Sequence, residues 1–403
     1  MDDARDVVIV GGGPAGCTTA LSLVRSAPEL ARRVLVLERA RYPREKPCAG
    51  ALGRRGDRLL ESLGVHVDVP AARIDGMSFR GAGSVATASP GNIGRVVRRI
   101  EFDHALAKAV RAAGVEVRDG VRVEGVDLDG GLAVARTSEG AVRARAVLGC
   151  DGVGSVVRKT LGSEASTLRA QVIEVDTEPV PGDPDRRLLH FDASDRDLAG
   201  YAWDFPTVVE GRDLVCRGLY RLRIGREVDG GGDDLAARLA KRLRRQGIDP
   251  ASCKNKRYAE RGFEPATRIA EGPRMLVGEA AGIDPVTGEG IAQAIEYGVL
   301  AGRFVASQVA PTDGPVDLTG WKGVVARSRL AHDLGLRTRF VRLFYGPSRP
   351  EVERFLVETP DALHVGGQHF AAQPYDTWKL LEVVARGAAR LAGLHVGRVL
   401  AAG

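Results

Sequence analysis

The sequence predicts an α/β protein in which a Rossmann-like nucleotide-binding domain carries an inserted mixed β-sheet domain and is followed by a helical C-terminal region. Three observations lead to this fold class. The chain begins with an apolar run, a glycine-rich turn and a stretch of helical composition. From about residue 168 to 262 the pattern changes to alternating strands, and from about residue 311 onward it is typical of helices joined by loops. With 403 residues, the chain is long enough for two or three packed regions.

The first βαβ unit carries a glycine fingerprint. Val7–Val10 is a short apolar run typical of a strand buried on both faces, and Gly-Gly-Gly-Pro-Ala-Gly follows it directly. Gly11 permits a tight turn, Gly13 lets the backbone approach a pyrophosphate, and Gly16 allows close contact between helix and strand. The next apolar run ends at Glu38, an acid placed to bond a ribose. This order predicts a dinucleotide site whose phosphates lie at the helix N-terminus.

The remaining elements follow from apolar periodicity. The pattern predicts helices at 102–113, 235–246 and 291–310, and strands at 115–117, 121–126, 132–137, 146–149 and 274–277. Turns rich in acidic residues, glycine and proline are predicted at 179–184 and 229–234. The sequence has no internal repeat and no low-complexity linker, so we expect the regions to pack as one body.

Composition excludes several classes of protein. The hydrophobic fraction of 44% and charged fraction of 27% are those of an ordinary globular chain, not of a disordered one. Five cysteines without a CxxC pair argue against a disulfide framework and against a structural zinc site, so we predict no metal and a cytoplasmic location. No signal peptide or membrane-spanning run is evident, and contact with a membrane surface stays possible.

The net charge of +6 raises the question of a nucleic-acid partner. The positive side chains are mostly arginine, they are dispersed, and few aromatic residues lie among them. A base-stacking surface is therefore not indicated, and a solvated arginine-rich surface explains most of the charge. Attraction to an anionic substrate or to lipid headgroups is the alternative.

Three separated segments together resemble the flavoprotein superfamily of para-hydroxybenzoate hydroxylase. They are the glycine fingerprint with Glu38, the segment 149–158 (GCDGVGSVVR), and the segment 278–291 (GEAAGIDPVTGEGI). Their order and spacing both match, over about residues 1–310. The resemblance implies that the dinucleotide is FAD. A turn that opens the helix at Gly290 would place backbone N–H groups and the helix dipole against the negative charge of a reduced flavin.

The resemblance also implies a set of FAD-binding residues in and beside these segments. The segment 99–103 (RIEFD) is similar to a family motif whose arginine helps to hold FAD. The family has aspartate where Glu279 stands, so the bond to the ribityl chain is expected to be re-aimed or mediated by water. The implied residues are Gly11, Gly13, Pro14, Ala15, Gly16, Glu38, Arg39, Arg44, Cys48, Ala49, Arg99, Val123, Asp151, Gly152, Glu279, Pro285, Gly288, Gly290 and Ile291.

Within the superfamily, the chain most resembles the geranylgeranyl reductases. The segment 43–50 (PREKPCAG) is similar to their Lys-Pro-Cys-Gly-Gly segment, with Ala49 in place of the first glycine, and 200–206 (GYAWDFP) is similar to their Tyr-x-Trp-x-Phe-Pro motif. The resemblance implies that Cys48, Tyr201 and Trp203 lie at the catalytic cavity. The aromatic residues could instead form one face of a core strand, and Cys48 could be a redox or acid group or a packing residue.

Several chemistries are possible on this scaffold. The preferred hypothesis is hydride transfer from reduced FAD to a C=C bond of an apolar, polyketide-like or isoprenoid-like small molecule. The alternatives are a monooxygenase that uses a flavin C4a-hydroperoxide, a halogenase with Lys46 as the candidate lysine, and a flavoprotein without catalytic activity. No second glycine fingerprint is evident, so electrons would come from transiently bound NAD(P)H or from an external reductase. The sequence does not decide the oligomeric state or the role of the C-terminal helices.

The motifs also predict where the domains divide. The FAD-binding domain is expected to be made of three pieces, with the substrate domain inserted between them. The predicted bounds are 1–65, 98–167 and 263–310 for the FAD-binding domain, 66–97 and 168–262 for the substrate domain, and 311–403 for the C-terminal helical region.

Overall fold

The computed structural model describes residues 3–163, 166–225 and 234–401. The strands in these ranges are β1 (Asp3–Val10), β2 (Val34–Glu38), β3 (Ala51–Gly53), β4 (Ala71–Ile74), β5 (Gly76–Gly81), β6 (Ser84–Ala88), β7 (Gly94–Val97), β8 (Glu116–Asp119), β9 (Val123–Asp129), β10 (Leu132–Thr137), β11 (Gly140–Gly149), β12 (Leu168–Thr177), β13 (Leu188–Asp192), β14 (Gly200–Val209), β15 (Arg212–Ile224), β16 (Lys256–Arg261), β17 (Ala270–Glu271) and β18 (Arg274–Leu276).

The α-helices in the same ranges are α1 (Pro14–Ser26), α2 (Arg54–Ser62), α3 (Arg99–Ala112), α4 (Val156–Thr160), α5 (Leu235–Arg245), α6 (Ile291–Val309), α7 (Trp321–Ala326), α8 (Arg329–Tyr345), α9 (Arg349–Glu358), α10 (Pro360–Ala371) and α11 (Thr377–Ala401). No helix of the described ranges is both long and apolar enough to cross a membrane. The predicted turn at 229–234 lies outside the described residues except for its last position.

The first sheet contains the predicted βαβ unit. Its strands lie in the order β17-β18-β11-β1-β2-β8, and β10 and β9 extend it as an antiparallel hairpin. β1 is parallel to both of its neighbours, with Val8 beside Val147 on one side and Leu35 on the other. These three side chains are fully buried because helices cover the sheet, as in other parallel sheets. The N-terminus of α1 therefore follows a central strand, at the edge where ligands of such folds bind.

The second sheet is formed mainly by the region from 168 to 262. Its order is β16-β12-β15-β14-β13-β5-β6, antiparallel except where β13 lies parallel to β5. The strands from 66–97 are divided between this sheet and a small third sheet of order β3-β7-β4. The mixed sheet and the Rossmann-like sheet confirm the predicted α/β fold class.

The chain after α6 is helical, as predicted. α9 and α10 pack against β5 and β6, and α10 also contacts α2. These helices therefore connect the second sheet with α2 of the N-terminal region. The predicted helix 102–113 is α3, which begins earlier because the backbone turns from extended at Arg98 to helical at Arg99. This places Arg99 in the first helical turn, where it is buried.

Candidate functional site

The turn between β1 and α1 has the geometry of a phosphate-binding loop. Gly11 has a φ of +103°, a conformation that side chains other than glycine rarely adopt. A Cβ at Gly16 would lie 1.9 Å from the Gly11 carbonyl oxygen, so only glycine permits this close approach. α1 begins at Pro14, and no side chain caps its N-terminus. The first-turn N–H groups and the positive end of the helix dipole are thus available to an anion.

Two arginine side chains lie close to the N-terminus of α1. Arg99 forms a bidentate ion pair with Asp103, with both N–O distances at 2.7 Å. Arg44 bridges Asp103 at 3.0 Å and Glu38 at 3.2 Å. A methyl group at Gly13 would stand 3.6 Å from Arg99 Nη2 and 3.8 Å from Arg44 Nη2. Two fixed guanidinium groups therefore face the N-terminus of α1, which is the donor set that a pyrophosphate needs.

Glu38 is held in place by the backbone around it. Its Oε2 accepts a hydrogen bond from the Gly12 N–H at 3.0 Å, and its Oε1 accepts one from the Ala40 N–H at 3.0 Å. The side chain is buried, and it lines the cavity together with Arg39 and Val123. The acid at the end of β2 is therefore fixed at the edge of the predicted dinucleotide site.

The second and third sequence motifs meet at a pair of carboxyl groups. Asp151 Oδ2 accepts a hydrogen bond from the Val156 N–H at 2.7 Å, and burial raises the pKa of this carboxyl. Gly152 and Glu279 are adjacent, since a Cβ at Gly152 would lie 3.4 Å from Glu279 Oε2. Asp151 Oδ1 and Glu279 Oε1 are buried and have no hydrogen-bond partner among the described residues. These two acceptor atoms fit the hydroxyl groups of a ribityl chain.

Three tyrosines hold the loop from 284 to 290. Tyr220 donates to the Pro285 carbonyl at 3.0 Å, Tyr345 to the Val286 carbonyl, and Tyr201 to the Thr287 carbonyl at 2.6 Å. We call this arrangement the tyrosine clamp. It joins β14, β15 and α8 to the loop that precedes α6. Because three successive carbonyls are already bound, the loop has a fixed conformation before any ligand arrives.

An ion-pair network also stabilises the loop from 284 to 290. Asp284 accepts hydrogen bonds from the Val286 N–H at 2.8 Å and the Thr287 N–H at 3.3 Å. Arg337 on α8 pairs with Asp284 and, at 3.3 Å, with Glu289. Burial raises the pKa of Glu289, and the charge of Arg337 opposes that effect. A residue of the C-terminal region thus fixes the turn that carries Gly288 and Gly290.

One cavity of about 1280 Å³ connects these parts. Its nucleotide end is lined by the glycine turn and the arginines, and its other end by side chains of β14, β15 and α8–α11. Tyr201, Trp203 and Phe205 alternate along β14 and form an aromatic wall with Phe191 and Tyr220. These aromatic residues also belong to a hydrophobic core cluster. The two interpretations from the sequence, a cavity wall and the face of a core strand, therefore describe the same surface. A planar or apolar ligand suits it.

Cys48 lies between the two ends of the cavity. Its backbone N–H donates to Glu174 Oε1 at 3.0 Å, and burial raises the pKa of its thiol while the charge of Arg99 lowers it. Ala49 lines the cavity beside it. Lys46 also lines the cavity, with its side chain 36% exposed, and its Nζ is 4.0 Å from Glu279 Oε2 and 5.8 Å from the centre of the Tyr258 ring.

Most of the site residues predicted from the sequence line this one cavity. Those that line it are Gly11, Gly13, Pro14, Ala15, Glu38, Arg39, Arg44, Cys48, Ala49, Arg99, Val123, Asp151, Gly152, Tyr201, Trp203, Glu279, Gly288, Gly290 and Ile291. Gly16 and Pro285 do not line it: Gly16 packs against the Gly11 carbonyl, and Pro285 presents its carbonyl to Tyr220. Both residues therefore support the shape of the site without lining the cavity.

Sequence reasoning missed four residues of the site: Tyr220, Glu260, Arg337 and Tyr345. Tyr220 stands directly opposite Tyr201 in the β14–β15 hairpin, so the register of that hairpin would have found it. Glu260 on β16, and Arg337 and Tyr345 on α8, belong to no motif in the sequence. Only the packing of distant elements brings them to the loop.

Comparison with known proteins identifies the family. Residues 4–308 match the model of the FAD binding domain family. A digeranylgeranylglycerophospholipid reductase of Methanosarcina acetivorans is 28% identical over 359 residues, covering 83% of this chain and 84% of that protein. A menaquinone reductase of Mycobacterium tuberculosis is 28% identical over 337 residues, covering 76% and 78%.

A solved structure supports the fold. The geranylgeranyl bacteriochlorophyll reductase-like protein of Thermoplasma acidophilum superposes with a TM-score of 0.64 at 19% identity, covering 96% of each chain. The donor set described above also fits FAD: two arginines and a helix N-terminus for the pyrophosphate, an acid at the ribose position, and two unpartnered buried oxygens. The chain therefore belongs to the FAD binding domain family, within the para-hydroxybenzoate hydroxylase superfamily, and is an FAD-dependent oxidoreductase.

Proposed function

We propose that this protein reduces C=C bonds of an isoprenoid-type lipid or lipid-like quinone, with reduced FAD as the hydride source. The single observation that carries the proposal is the continuous cavity. Its polar end fits FAD, and its aromatic and aliphatic end fits a long apolar substrate. Two relatives are reductases whose names refer to a digeranylgeranyl lipid and to menaquinone, both of which carry isoprenoid chains.

The chain's own residues bind and orient both partners. Arg44, Arg99 and the N-terminus of α1 would hold the FAD pyrophosphate, and Asp151 and Glu279 would accept from the ribityl hydroxyls. FAD supplies two-electron hydride chemistry when it is bound. The loop before α6 would position the reactive ring, and its fixed backbone reduces the ordering that binding requires.

The substrate end contributes shape and exclusion of water. The aromatic wall offers flat apolar surface, while α8, α9, α10 and α11 cover the opposite side of the cavity. The hydroxyls of Tyr201 and Tyr220 are already engaged with backbone carbonyls, so these rings act as walls and as supports of the loop. A substrate enclosed in this way reacts with little competing water.

The donor of electrons to FAD is a further part of the proposal. The sequence contains one glycine fingerprint of the dinucleotide-binding kind, at 11–16. We therefore propose that NAD(P)H binds transiently or that a separate reductase delivers the electrons. Stopped-flow mixing of the oxidised protein with NADPH and with NADH distinguishes the two: bleaching of the flavin band by either nucleotide supports direct reduction.

The reaction itself is tested with the FAD-loaded protein after anaerobic reduction with dithionite. Menaquinone and a digeranylgeranyl glycerophospholipid, each dispersed in detergent, serve as probes. We expect a product whose isoprenoid chain has gained two hydrogens for each reduced bond, located by fragmentation in mass spectrometry, since dithionite by itself converts the quinone ring to the quinol. A product that appears only in air and contains oxygen from O₂ would instead establish the monooxygenase alternative. No turnover of either probe under both conditions would contradict the proposal.

A cavity-filling variant tests whether the apolar end holds the substrate. Gly366 on α10 lines the cavity, and a Cβ there meets no atom within 4 Å. Gly366→Trp is expected to fill the space and raise KM at least tenfold without changing FAD affinity. Gly335 on α8 is a matched control, since a Cβ there also meets no atom within 4 Å and Gly335 is not a lining residue. Equal KM values for the two variants would place the substrate elsewhere.

We also propose that the protein reaches such lipids at a membrane surface. Exposed apolar side chains stand on α8 and α11, and two of them, Leu336 and Phe340, also line the cavity. Trp378 on α11 is 82% exposed. Trp378→Ser is expected to weaken sedimentation with phosphatidylglycerol vesicles. Unchanged sedimentation would show that Trp378 on α11 does not contact the bilayer.

A further inference from the structure

Glu260 is a cavity residue with a buried carboxyl oxygen that has no hydrogen-bond partner among the described residues. It lies on β16 and lines the cavity beside the loop before α6. A methyl group built at Gly288 would stand 2.6 Å from Glu260 Oε2 and 3.1 Å from the Tyr220 ring, so the carboxyl sits directly against the turn. Oε2 is closed off from solvent and has no hydrogen-bond partner among the described residues.

The surroundings favour the neutral acid. Burial raises the pKa of Glu260 well above its usual value, and the charge of Glu279 raises it further. Other acidic groups that face it, Asp284 from the loop and Glu174 from β12, act in the same direction. Lys46 opposes them, but it does not reverse the shift. Tyr201, Tyr220 and Tyr258 lie near this carboxyl, since a charge on Glu260 raises the pKa of each of their hydroxyls.

Three other acids around the cavity are already engaged, and the unpartnered oxygens of Asp151 and Glu279 are the acceptors assigned above to the ribityl chain. Glu289 pairs with Arg337, and Asp284 pairs with the same arginine. Glu174 accepts from the Cys48 N–H at 3.0 Å and from the Tyr258 hydroxyl at 3.2 Å. A carboxyl that accepts several hydrogen bonds or an ion pair favours its ionised form. Glu260 differs because its buried Oε2 accepts no hydrogen bond among the described residues, and the charge of Lys46 does not outweigh burial and the neighbouring acids.

We propose that Glu260 is the acid that protonates the substrate during C=C reduction, an inference that rests on the proposed function. Reduction adds a hydride, supplied by the reduced FAD, to one carbon and a proton from Glu260 to the other. The π bond is broken, two C–H bonds are formed, and the cofactor loses two electrons. Glu260 is left as the carboxylate and regains its proton from water at the Lys46 side of the cavity.

The protonation state can be tested without turnover. Infrared spectra of the oxidised, FAD-loaded protein at neutral pH are compared between wild type and Glu260→Gln. We expect a carboxylic-acid C=O band in the wild type that shifts in D₂O and is lost in the variant. A wild-type spectrum without this band would overturn the proposal, because an ionised Glu260 has no proton to deliver.

Turnover tests the role itself. With the isoprenoid probes above, Glu260→Gln is expected to lower kcat by about 10²- to 10⁴-fold, the usual contribution of a general acid. The wild-type rate should fall at high pH as the acid ionises, and Glu260→Asp should restore part of the rate. Exposed Glu271 provides a control, Glu271→Gln, that keeps the wild-type rate. FAD affinity and reduction by dithionite are measured on each variant to show that the site is intact.

The outcomes separate the two claims. A wild type that reduces neither probe contradicts the proposed function, and the role of Glu260 falls with it. A wild type that reduces a probe, together with a Glu260→Gln variant of equal rate and equal pH dependence, overturns the role of Glu260 alone.

Discussion

The nucleotide end of the cavity differs from the end that we propose for the substrate, here called the substrate end, in how its residues are distributed along the chain. The nucleotide end is built largely from backbone groups and from side chains within short motifs, such as Gly11, Gly13 and Glu38. The substrate end is built from side chains of separate elements, among them Tyr201, Tyr345 and the C-terminal helices. A phosphate is bound by one helix N-terminus, whereas an apolar ligand needs walls on all sides. The chemistry of the ligand therefore decides whether its site is local or distributed along the chain.

The largest effect is expected at the nucleotide end. Gly13→Val should raise the Kd for FAD at least about 100-fold, equivalent to about 2.7 kcal/mol, because the added methyl groups occupy the phosphate position. The nearest atoms to a Cβ there are the arginine nitrogens at 3.6 and 3.8 Å, so the protein without FAD should still fold. Titration of flavin fluorescence and the Tm of the FAD-free protein measure the two quantities.

Gly335→Val on α8 is the control for this variant, since it introduces the same side chain at a helix position that does not line the cavity. It should keep the FAD affinity of the wild type. An unchanged Kd in Gly13→Val would mean that the pyrophosphate does not lie at the N-terminus of α1. The conclusion that the nucleotide end is built from one short motif would then be wrong.

The tyrosine clamp tests the distributed end. Tyr345→Phe removes the donor to the Val286 carbonyl, and we expect a loss of about 1–3 kcal/mol in the free energy of unfolding. Weaker FAD binding should accompany it because the loop before α6 loses a support. Urea unfolding and flavin titration provide the measurements.

Tyr297→Phe is the matched control for the clamp. The Tyr297 hydroxyl is buried without a hydrogen-bond partner among the described residues, so its removal should leave stability unchanged or slightly raised. If Tyr345→Phe behaved like Tyr297→Phe, the loop would be held by its own ion pairs, and the substrate end would not influence the flavin end.

The difference between a local and a distributed site also decides which residues could be predicted from the sequence. The βαβ unit, Gly11 and Glu38 could be located because strand, turn and helix are contiguous and each has a local physical requirement. Arg337 and Glu260 could not, because their roles depend on which helix or strand edge packs against the loop. Tyr220 is intermediate: its register opposite Tyr201 follows from the hairpin, but its bond to the Pro285 carbonyl does not.

Acid should destabilise the folded protein through His369, which lines the C-terminal side of the cavity. Burial, followed by the charge of Arg337, lowers the pKa of His369 on α10 to about 4, from 6.5 in an unfolded chain. The neutral ring therefore contributes stability above pH 6.5, and this contribution is lost as the pH falls toward about 4. The loss is expected to be on the order of 1–2 kcal/mol, since the ring is partly solvated.

Unfolding free energies of the wild type and His369→Gln at pH 6.5 and pH 4.5 test this, because the variant should lose less stability over the interval. His66→Gln, at an exposed position, should follow the wild type. Parallel pH curves for the wild type and His369→Gln would assign the acid sensitivity to another group.

The smallest effect concerns Cys48, at the junction of the two ends. A thiol reacts with iodoacetamide as its thiolate, and burial raises the pKa of Cys48. We therefore expect Cys253, a partly exposed thiol that does not line the cavity, to be alkylated first at pH 7, with Cys48 following only as the pH rises. Mass spectrometry of peptides from the wild type and from Cys253→Ser follows each site. Faster alkylation of Cys48 at pH 7 would reveal a stabilised thiolate beside Arg99. In that case the junction would supply reactive chemistry of its own, in addition to the acid that we assign to Glu260.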